Sequence, residues 1–202
     1  KISADHISMV IDFLNEHACY AVLRNYEGLP DNNQSRDIDI IIPRSDYNRI
    51  KRQLVQLIAR TGWKVLTYLN SDRLITYVCA CQHEEETELV QWDFFMNTSV
   101  FGIILMDAEE FLARRKFNGF LYHVDTECQF LDKYLYNRAV GSIYPEKYKV
   151  TREKAEFSPF VENKLRTLYG VPSVAACDKT GSSKLLMSAI SVNMRHPWRL
   201  IC

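Results

Sequence analysis

The sequence lacks an excess of charge of either sign, and it is poor in the residues that keep a chain unfolded. Its 202 residues include 25 Lys and Arg against 25 Asp and Glu, so the formal net charge is zero. A protein whose main partner is bulk nucleic acid needs a basic face, and this balance gives no sign of one. Seven Gly and six Pro against 47% apolar residues exclude collagen-like, low-complexity and disordered chains. We therefore expect a folded chain with a real core.

Long hydrophobic runs are also missing. No apolar run approaches the roughly 18 residues that cross a bilayer, so we expect no membrane span. The first residues lack the basic-then-apolar layout of a signal peptide. Six cysteines are too few for a disulfide-stapled secreted domain, and the five histidines show no paired spacing with them of the kind that a zinc site needs. A reducing cytoplasm is the expected location.

The common motifs of nucleophilic, zinc-dependent and dinucleotide-binding enzymes are absent. The sequence contains no G-x-S-x-G, no H-E-x-x-H and no G-x-G-x-x-G. The segment Gly181-Ser-Ser-Lys184 resembles the end of a phosphate-binding loop, but the leading glycine and the preceding apolar strand are missing. These enzyme classes are therefore disfavoured.

The apolar periodicity predicts an α+β fold, with a mixed β-sheet flanked by helices and a helical C-terminal segment. We place one domain at residues 1–145 and the helical segment at 146–202. The acidic run at 83–88 lies between two β-rich segments and is predicted to be a solvated hairpin loop. The predicted strands are 19–24, 36–43, 63–69, 74–81, 89–95, 101–105 and 119–124. One predicted helix begins at Ser3. The other predicted helices cover 45–60, 107–115, 126–140, 162–169 and 183–193.

Two aspartates lie inside one of the predicted strands. Asp37-Ile-Asp39 leads directly into three isoleucines that end at Ile42. Aspartate is depleted in strands because it competes for backbone hydrogen bonds and charges a surface that usually packs. The two-residue period of a strand puts both carboxylates on one face and the alternate isoleucines on the other. This face is either the solvated side of an edge strand or a place where a cation separates the two charges.

A third carboxylate strengthens the second alternative. Asp93 lies alone in the apolar strand Leu89–Phe95. A buried ionised carboxylate costs several kcal/mol unless it is paired or binds a metal ion. Three carboxylates from two neighbouring strands can hold two Mg²⁺ ions roughly 3.5–4 Å apart, which is the arrangement used for in-line phosphoryl and nucleotidyl displacement.

In this order of elements the chain resembles the nucleotidyltransferase superfamily typified by DNA polymerase β. The resemblance depends on Asp37-Ile-Asp39 after a strand and a loop, on the amphipathic helix that follows, and on the isolated Asp93. The segments 20–30 and 36–42 are similar to those of uncharacterised bacterial nucleotidyltransferase-like proteins. The resemblance covers roughly residues 5–140.

The resemblance implies a metal-dependent enzyme that moves a nucleoside monophosphate from an NTP to an acceptor hydroxyl. Asp37, Asp39 and Asp93 would be its catalytic residues and would hold two Mg²⁺ or Mn²⁺ ions. Asp93 would also accept the proton of the attacking hydroxyl. The zero net charge favours a small molecule or a protein over nucleic acid as the acceptor.

One departure from the superfamily concerns the phosphate contacts. Its members carry a Gly-Ser pair at the end of the preceding strand, where this chain has Arg24-Asn25, twelve residues before Asp37. Arg24 could make a bidentate phosphate contact, Asn25 could donate from its side chain, and Arg36 is either a third contact or a neutralising neighbour of Asp37. The departure also leaves two other interpretations open. One is a catalytically inactive relative that serves as a binding or regulatory module of a longer protein, and the other is a structural module whose aspartates face water.

Overall fold

The computed structural model describes residues 2–33, 37–83 and 86–195. Its elements, in chain order, are α1 (Ile2–His17), β1 (Ala21–Val22), β2 (Asp37–Ile41), α2 (Arg44–Arg60), β3 (Lys64–Asn70), β4 (Leu74–His83), β5 (Glu86–Phe95), β6 (Asn97–Val100), β7 (Ile103–Asp107), α3 (Ala108–Leu112), β8 (Lys116–Phe117), β9 (Tyr122–His123), α4 (Thr126–Val140), a 3₁₀ turn (Glu146–Tyr148), α5 (Lys149–Ala155), α6 (Pro159–Tyr169), α7 (Val174–Asp178) and α8 (Ser182–Met194). No helix in these ranges is both long and apolar enough to span a bilayer.

The chain divides into two compact units. Unit 1 comprises Lys1–Met96 and Ala108–Val124, and unit 2 comprises Asn97–Asp107 and Asp125–Cys202. Helix α4, which the sequence analysis places in the first domain, belongs to unit 2. A compact unit need not fold by itself, so the boundary at residue 145 stays a prediction.

Unit 1 is built on a seven-stranded sheet with the strand order β3-β4-β5-β2-β1-β9-β8. Strand β2 pairs parallel with β5, and β1 pairs parallel with β9, whereas the other neighbours are antiparallel. The predicted α+β fold with a mixed sheet, flanking helices and a helical C-terminal part is therefore confirmed.

The core of unit 1 lies on one face of this sheet. Helices α1 and α2 each present an apolar stripe with helical spacing, and both stripes join the same buried cluster as alternate residues of β2, β4 and β5. Because strand side chains alternate between faces, the residues in between point to the opposite face. The cluster includes Ile7, Ile11, Leu14, Ile38, Ile40, Ile50, Leu54, Ile75, Tyr77, Val90, Trp92 and Phe94.

Unit 2 contains the β6–β7 hairpin and the helices from α4 to α8. Its α8 is tied to β7 by Asn193, a fully buried side chain. The Asn193 amide donates to the carbonyl oxygens of Ile104 (3.0 Å) and Ala189 (2.9 Å), and its oxygen accepts from the Ile104 backbone N–H at 3.2 Å. One polar residue thus satisfies both backbone groups of a buried strand position.

Several element boundaries differ from the prediction. The strand predicted at 19–24 contracts to β1, and the helices α5 and α7 lie in the predicted helical segment but were not delimited as separate helices. The hairpin loop expected at 83–88 is shorter, because β4 and β5 pair up to His83 and Glu86 and a side-chain hydrogen bond of 2.7 Å joins Thr87 to Gln82. Strand β6 was missed because its sequence, Asn-Thr-Ser-Val, has none of the apolar enrichment that marks a strand.

Candidate metal centre

Two neighbouring parallel strands place the three predicted carboxylates at one point of the sheet. In the pairing of β2 with β5, Asp39 lies beside Asp93 and Asp37 lies beside Gln91. Adjacent strands are about 4.8 Å apart and alternate side chains share a face. All three aspartates therefore leave the sheet on the same side, while Ile38 between them points into the core.

The three carboxylates form a close and partly buried cluster. One oxygen of each lies within 4.8 Å of the others, and Asp39 and Asp93 are only 4% and 7% exposed, whereas Asp37 is half-buried. At a separation of 4.8 Å, two unit charges repel by about 3.5 kcal/mol at an effective dielectric constant of 20. In the part of the chain that the structure describes, no other three His, Cys, Asp or Glu side chains come together in this way.

The sheet order overturns the interpretation of this face as the solvated side of an edge strand. Strand β2 lies between β5 and β1 in the interior of the sheet. Asp39 and Asp93 are buried, so these two aspartates do not simply face water. Position in the sheet could not be read from the Asp37-Ile-Asp39 pattern, because an edge strand and a central strand share the same period of two.

Arg24 lies directly against the cluster. Its Nη2 atom is 2.8 Å from Oδ2 of Asp39, and the two side chains are 13% and 5% exposed. The backbone explains this placement: the N–H of Leu23 donates to the carbonyl oxygen of Asp39 at 2.8 Å, which continues the pairing of β1 with β2 by one residue. The arginine predicted to contact phosphate is thus found on a carboxylate of the candidate site.

Two neutral side chains hold Asp93 in position. The hydroxyl of Thr76 donates to Oδ1 at 2.5 Å, and the amide of Gln91 donates to Oδ2 at 2.8 Å. Thr76 lies opposite Asp93 on β4, and Gln91 precedes Asp93 by two residues on the same strand face. These donors orient the carboxylate without neutralising it, and each oxygen keeps a further lone pair for another partner.

Thr76 and Gln91 were not predicted as site residues from the sequence. The spacing of two in Gln91-Trp-Asp93 was a usable signal, because it places both polar side chains on one face of a strand. No comparable signal exists for Thr76, since its position beside Asp93 depends on the register of β4 with β5.

The other two predicted phosphate contacts have different outcomes. Asn25 follows Arg24 with φ 57°, in the left-handed region that favours glycine and that asparagine tolerates better than most residues. The chain therefore leaves the extended conformation directly after the arginine. Arg36 lies outside the described residues.

The donor set fits a divalent cation. Carboxylate oxygens are the ligands that hard ions such as Mg²⁺ prefer, and three of them converge here from adjacent strands. Their mutual repulsion is relieved most directly by a positive ion placed among them. The residues Asp37, Asp39 and Asp93 can therefore hold a metal ion.

No protein-family model matches the chain, and the searches of curated proteins and of solved structures found no significant match.

Proposed function

We propose that unit 1 is a metal-dependent nucleotidyltransferase that moves a nucleoside monophosphate from an NTP to an acceptor hydroxyl. The observation that carries the proposal is the convergence of Asp37, Asp39 and Asp93 on one face of two adjacent strands. The resemblance of the Asp37-Ile-Asp39 and Asp93 segments to the nucleotidyltransferase superfamily supports it from the sequence.

The three aspartates would hold two Mg²⁺ ions, or Mn²⁺ in their place. When bound, these ions supply positive charge against the negative charge that builds up on the α-phosphate and on the departing pyrophosphate. Asp39 and Asp93 contribute from buried positions, where water competes least for the same charge.

In the reaction, an acceptor oxygen forms a new bond to the α-phosphorus, and the bond from that phosphorus to the bridging oxygen breaks to release pyrophosphate. Asp93 accepts the proton of the attacking hydroxyl. The hydrogen bonds from Thr76 and Gln91 suit this role because they fix the direction in which the carboxylate points. Arg24, Asn25 and Arg36 supply the contacts to the triphosphate.

The acceptor is a small molecule or a protein in this proposal, since a chain with zero net charge has no general attraction for nucleic acid. The expected compartment is the reducing cytoplasm. Five cysteines of the described chain are free thiols, which fits that setting: Cys19, Cys79, Cys81, Cys128 and Cys177.

A second candidate function is a catalytically inactive module that binds a ligand or regulates a longer protein. The ion pair between Arg24 and Asp39 favours it, because a guanidinium already balances one of the three carboxylates. The replacement of the superfamily's Gly-Ser pair by Arg24-Asn25 points the same way, since the bulkier residues restrict the approach of phosphate to the backbone.

Thermal unfolding with each of the four NTPs, with and without Mg²⁺, tests the proposal. A nucleotide at about 100 times its Kd adds about 2.7 kcal/mol, which raises the melting temperature by about 5–11 °C for a chain of this size. The double variant Asp37→Asn/Asp39→Asn should lose this shift. The matched control is Asp12→Asn/Asp72→Asn, which makes the same charge change at two exposed positions and should keep it.

A magnesium-dependent shift that is present in the protein and the control but absent from the double variant supports a nucleotide site on the aspartates. Release of pyrophosphate from the bound NTP in the presence of candidate acceptors then tests transfer itself. If no nucleotide shifts the melting temperature, the nucleotidyltransferase proposal is wrong and the inactive module is the better interpretation.

A further inference from the structure

Arg24 and a metal ion compete for the same carboxylate. The guanidinium lies 2.8 Å from Oδ2 of Asp39, a member of the three-carboxylate cluster, and both side chains are largely buried. A divalent ion beside Asp39 would bring two positive charges close to the fixed charge of Arg24. Metal binding at this carboxylate is therefore opposed for as long as the arginine remains in place.

The arginine is not held there by its charge alone. The hydrogen bond from the Leu23 N–H to the Asp39 carbonyl fixes the backbone beside Asp39, and the left-handed turn at Asn25 ends the extended segment one residue after Arg24. The backbone anchor is thus close to the site, whereas the long side chain can change partner without moving the strand. This geometry allows the guanidinium to exchange one anion for another.

A triphosphate is a suitable second anion. Guanidinium groups bind carboxylate and phosphate with the same planar, bidentate pattern of charge-assisted hydrogen bonds. If Arg24 leaves Asp39 for a phosphate oxygen, it keeps bonds of the same type and releases the carboxylate for the metal. Each ligand then favours the binding of the other, and such coupling is reciprocal by thermodynamic necessity.

Building on the nucleotidyltransferase function proposed above, we infer that Arg24 couples metal binding to nucleotide binding. Without nucleotide, Arg24 pairs with Asp39 and keeps the metal affinity of the cluster low. With an NTP, the guanidinium transfers to the triphosphate, and Asp39 becomes a full metal ligand. Arg24 thus binds the triphosphate and, by releasing Asp39, makes the metal centre assemble on the nucleotide.

The first part of the inference is that Arg24 lowers the metal affinity of the cluster, and binding of Mn²⁺ alone tests it. The free ion is measured by electron paramagnetic resonance at constant ionic strength. Arg24→Gln removes the charge but keeps a polar side chain, and it should bind Mn²⁺ about tenfold more tightly, within the usual range of such coupling. Arg49→Gln is the matched control, because Arg49 also pairs with an aspartate of unit 1, Asp46 at 3.0 Å, but is 57% exposed. It should leave the Mn²⁺ affinity unchanged.

The second part of the inference is that Arg24 binds the triphosphate. Calorimetric measurement of ATP binding in excess Mg²⁺ tests it. Arg24→Gln should bind ATP about tenfold more weakly, because the phosphate contact is lost. Arg24→Lys keeps the charge near Asp39 but offers a point charge in place of the planar fork. It should resemble the unmodified protein in Mn²⁺ binding and bind ATP more weakly, so the phosphate contact stays testable if Arg24→Gln does not fold.

The outcomes separate this inference from the function on which it rests. Equal Mn²⁺ affinity in the protein and in Arg24→Gln, with loss of binding in Asp39→Asn, overturns the role of Arg24 but leaves the metal centre intact. Absence of Mn²⁺ binding in every variant, Arg24→Gln included, overturns the inference; the proposed function fails with it only if no NTP shifts the melting temperature in the presence of Mg²⁺. Tighter Mn²⁺ binding in Arg24→Gln without ATP binding by any protein overturns the exchange and favours the inactive module.

Discussion

The buried His6 predicts that the protein loses stability as the pH falls below about 6.5. His6 on α1 is 1% exposed, and its ring stacks on Trp63 with the centroids 4.2 Å apart. Its Nε2 atom accepts a hydrogen bond of 3.2 Å from the indole N–H of Trp92, the residue that precedes Asp93 on β5. Burial lowers the pKa of His6 from 6.5 to about 4, because the charged imidazolium is poorly solvated in the core.

The sign and size of the effect follow from these two pKa values. Since the folded-state pKa is depressed, the unfolded chain takes up the proton first, and the contribution of His6 to stability is complete only above pH 6.5. It is lost as the pH falls from 6.5 to about 4. The linkage relation gives a loss of about 2 kcal/mol by pH 5 and about 3 kcal/mol by pH 4. Protonation at Nε2 would also set two N–H groups against each other where His6 now accepts from Trp92.

Urea unfolding followed by far-ultraviolet circular dichroism at pH 7 and pH 5 measures this loss. Circular dichroism is preferable to tryptophan fluorescence, because Trp63 and Trp92 both contact the titrating ring. In His6→Gln the loss between the two pH values should be about 2 kcal/mol smaller than in the unmodified protein. His17→Gln is the matched control, since it removes a histidine whose side chain is 44% exposed. If the unmodified protein and His6→Gln lose the same free energy of unfolding between the two pH values, protonation of the buried histidine does not cause the loss of stability in acid, and the prediction is wrong.

Two further predictions concern buried hydrogen bonds. Thr76→Val removes the hydroxyl donor to Asp93 and should lower the free energy of unfolding by about 1–3 kcal/mol. The control Thr67→Val, at an exposed position on the neighbouring strand, should change it little. Equal effects of the two substitutions in urea unfolding would contradict a specific role for the bond. Asn193→Leu leaves the buried N–H and C=O of Ile104 without their side-chain partner. In the same assay this should lower the free energy of unfolding by about 1–3 kcal/mol for each group. A change below about 0.5 kcal/mol would show that other groups replace the asparagine.

Much of the fold could be predicted because the periodicity of the core elements is strong. The stripe on α2 recurs with helical spacing through Ile50, Leu54 and Ile58, and the alternation in β2 separates Ile38 and Ile40 from the aspartates. Elements with little apolar periodicity could not be predicted from the sequence. Strand β6 is polar and only four residues long, so its place in the hairpin depends on pairing with β7.

In the candidate site, too, some features follow from local sequence pattern and others depend on long-range strand pairing. The face shared by Asp37 and Asp39 follows from the period of a strand, and the isolation of Asp93 in an apolar run is visible in the sequence. That β5 pairs with β2 in parallel, with Asp93 beside Asp39, is a matter of topology and register. The same holds for Thr76, which reaches Asp93 only through the register of β4. Local pattern identified the three candidate metal ligands, and long-range pairing decided which residues surround them.

The burial of Asp93 bears on whether this residue binds a ligand or only supports the sheet. The neighbouring residues Trp92 and Phe94 pack into the core, and Asp93 is buried in a central strand where its charge costs several kcal/mol unless it is compensated. Thr76 and Gln91 satisfy its oxygens with neutral donors, which orient the charge but do not cancel it. A module that needed only a stable sheet would be served better by an apolar residue at this position. The retained charge, held in one direction beside Asp39, is what a cation site requires, and this favours a cation-binding role for Asp93 over a purely structural one.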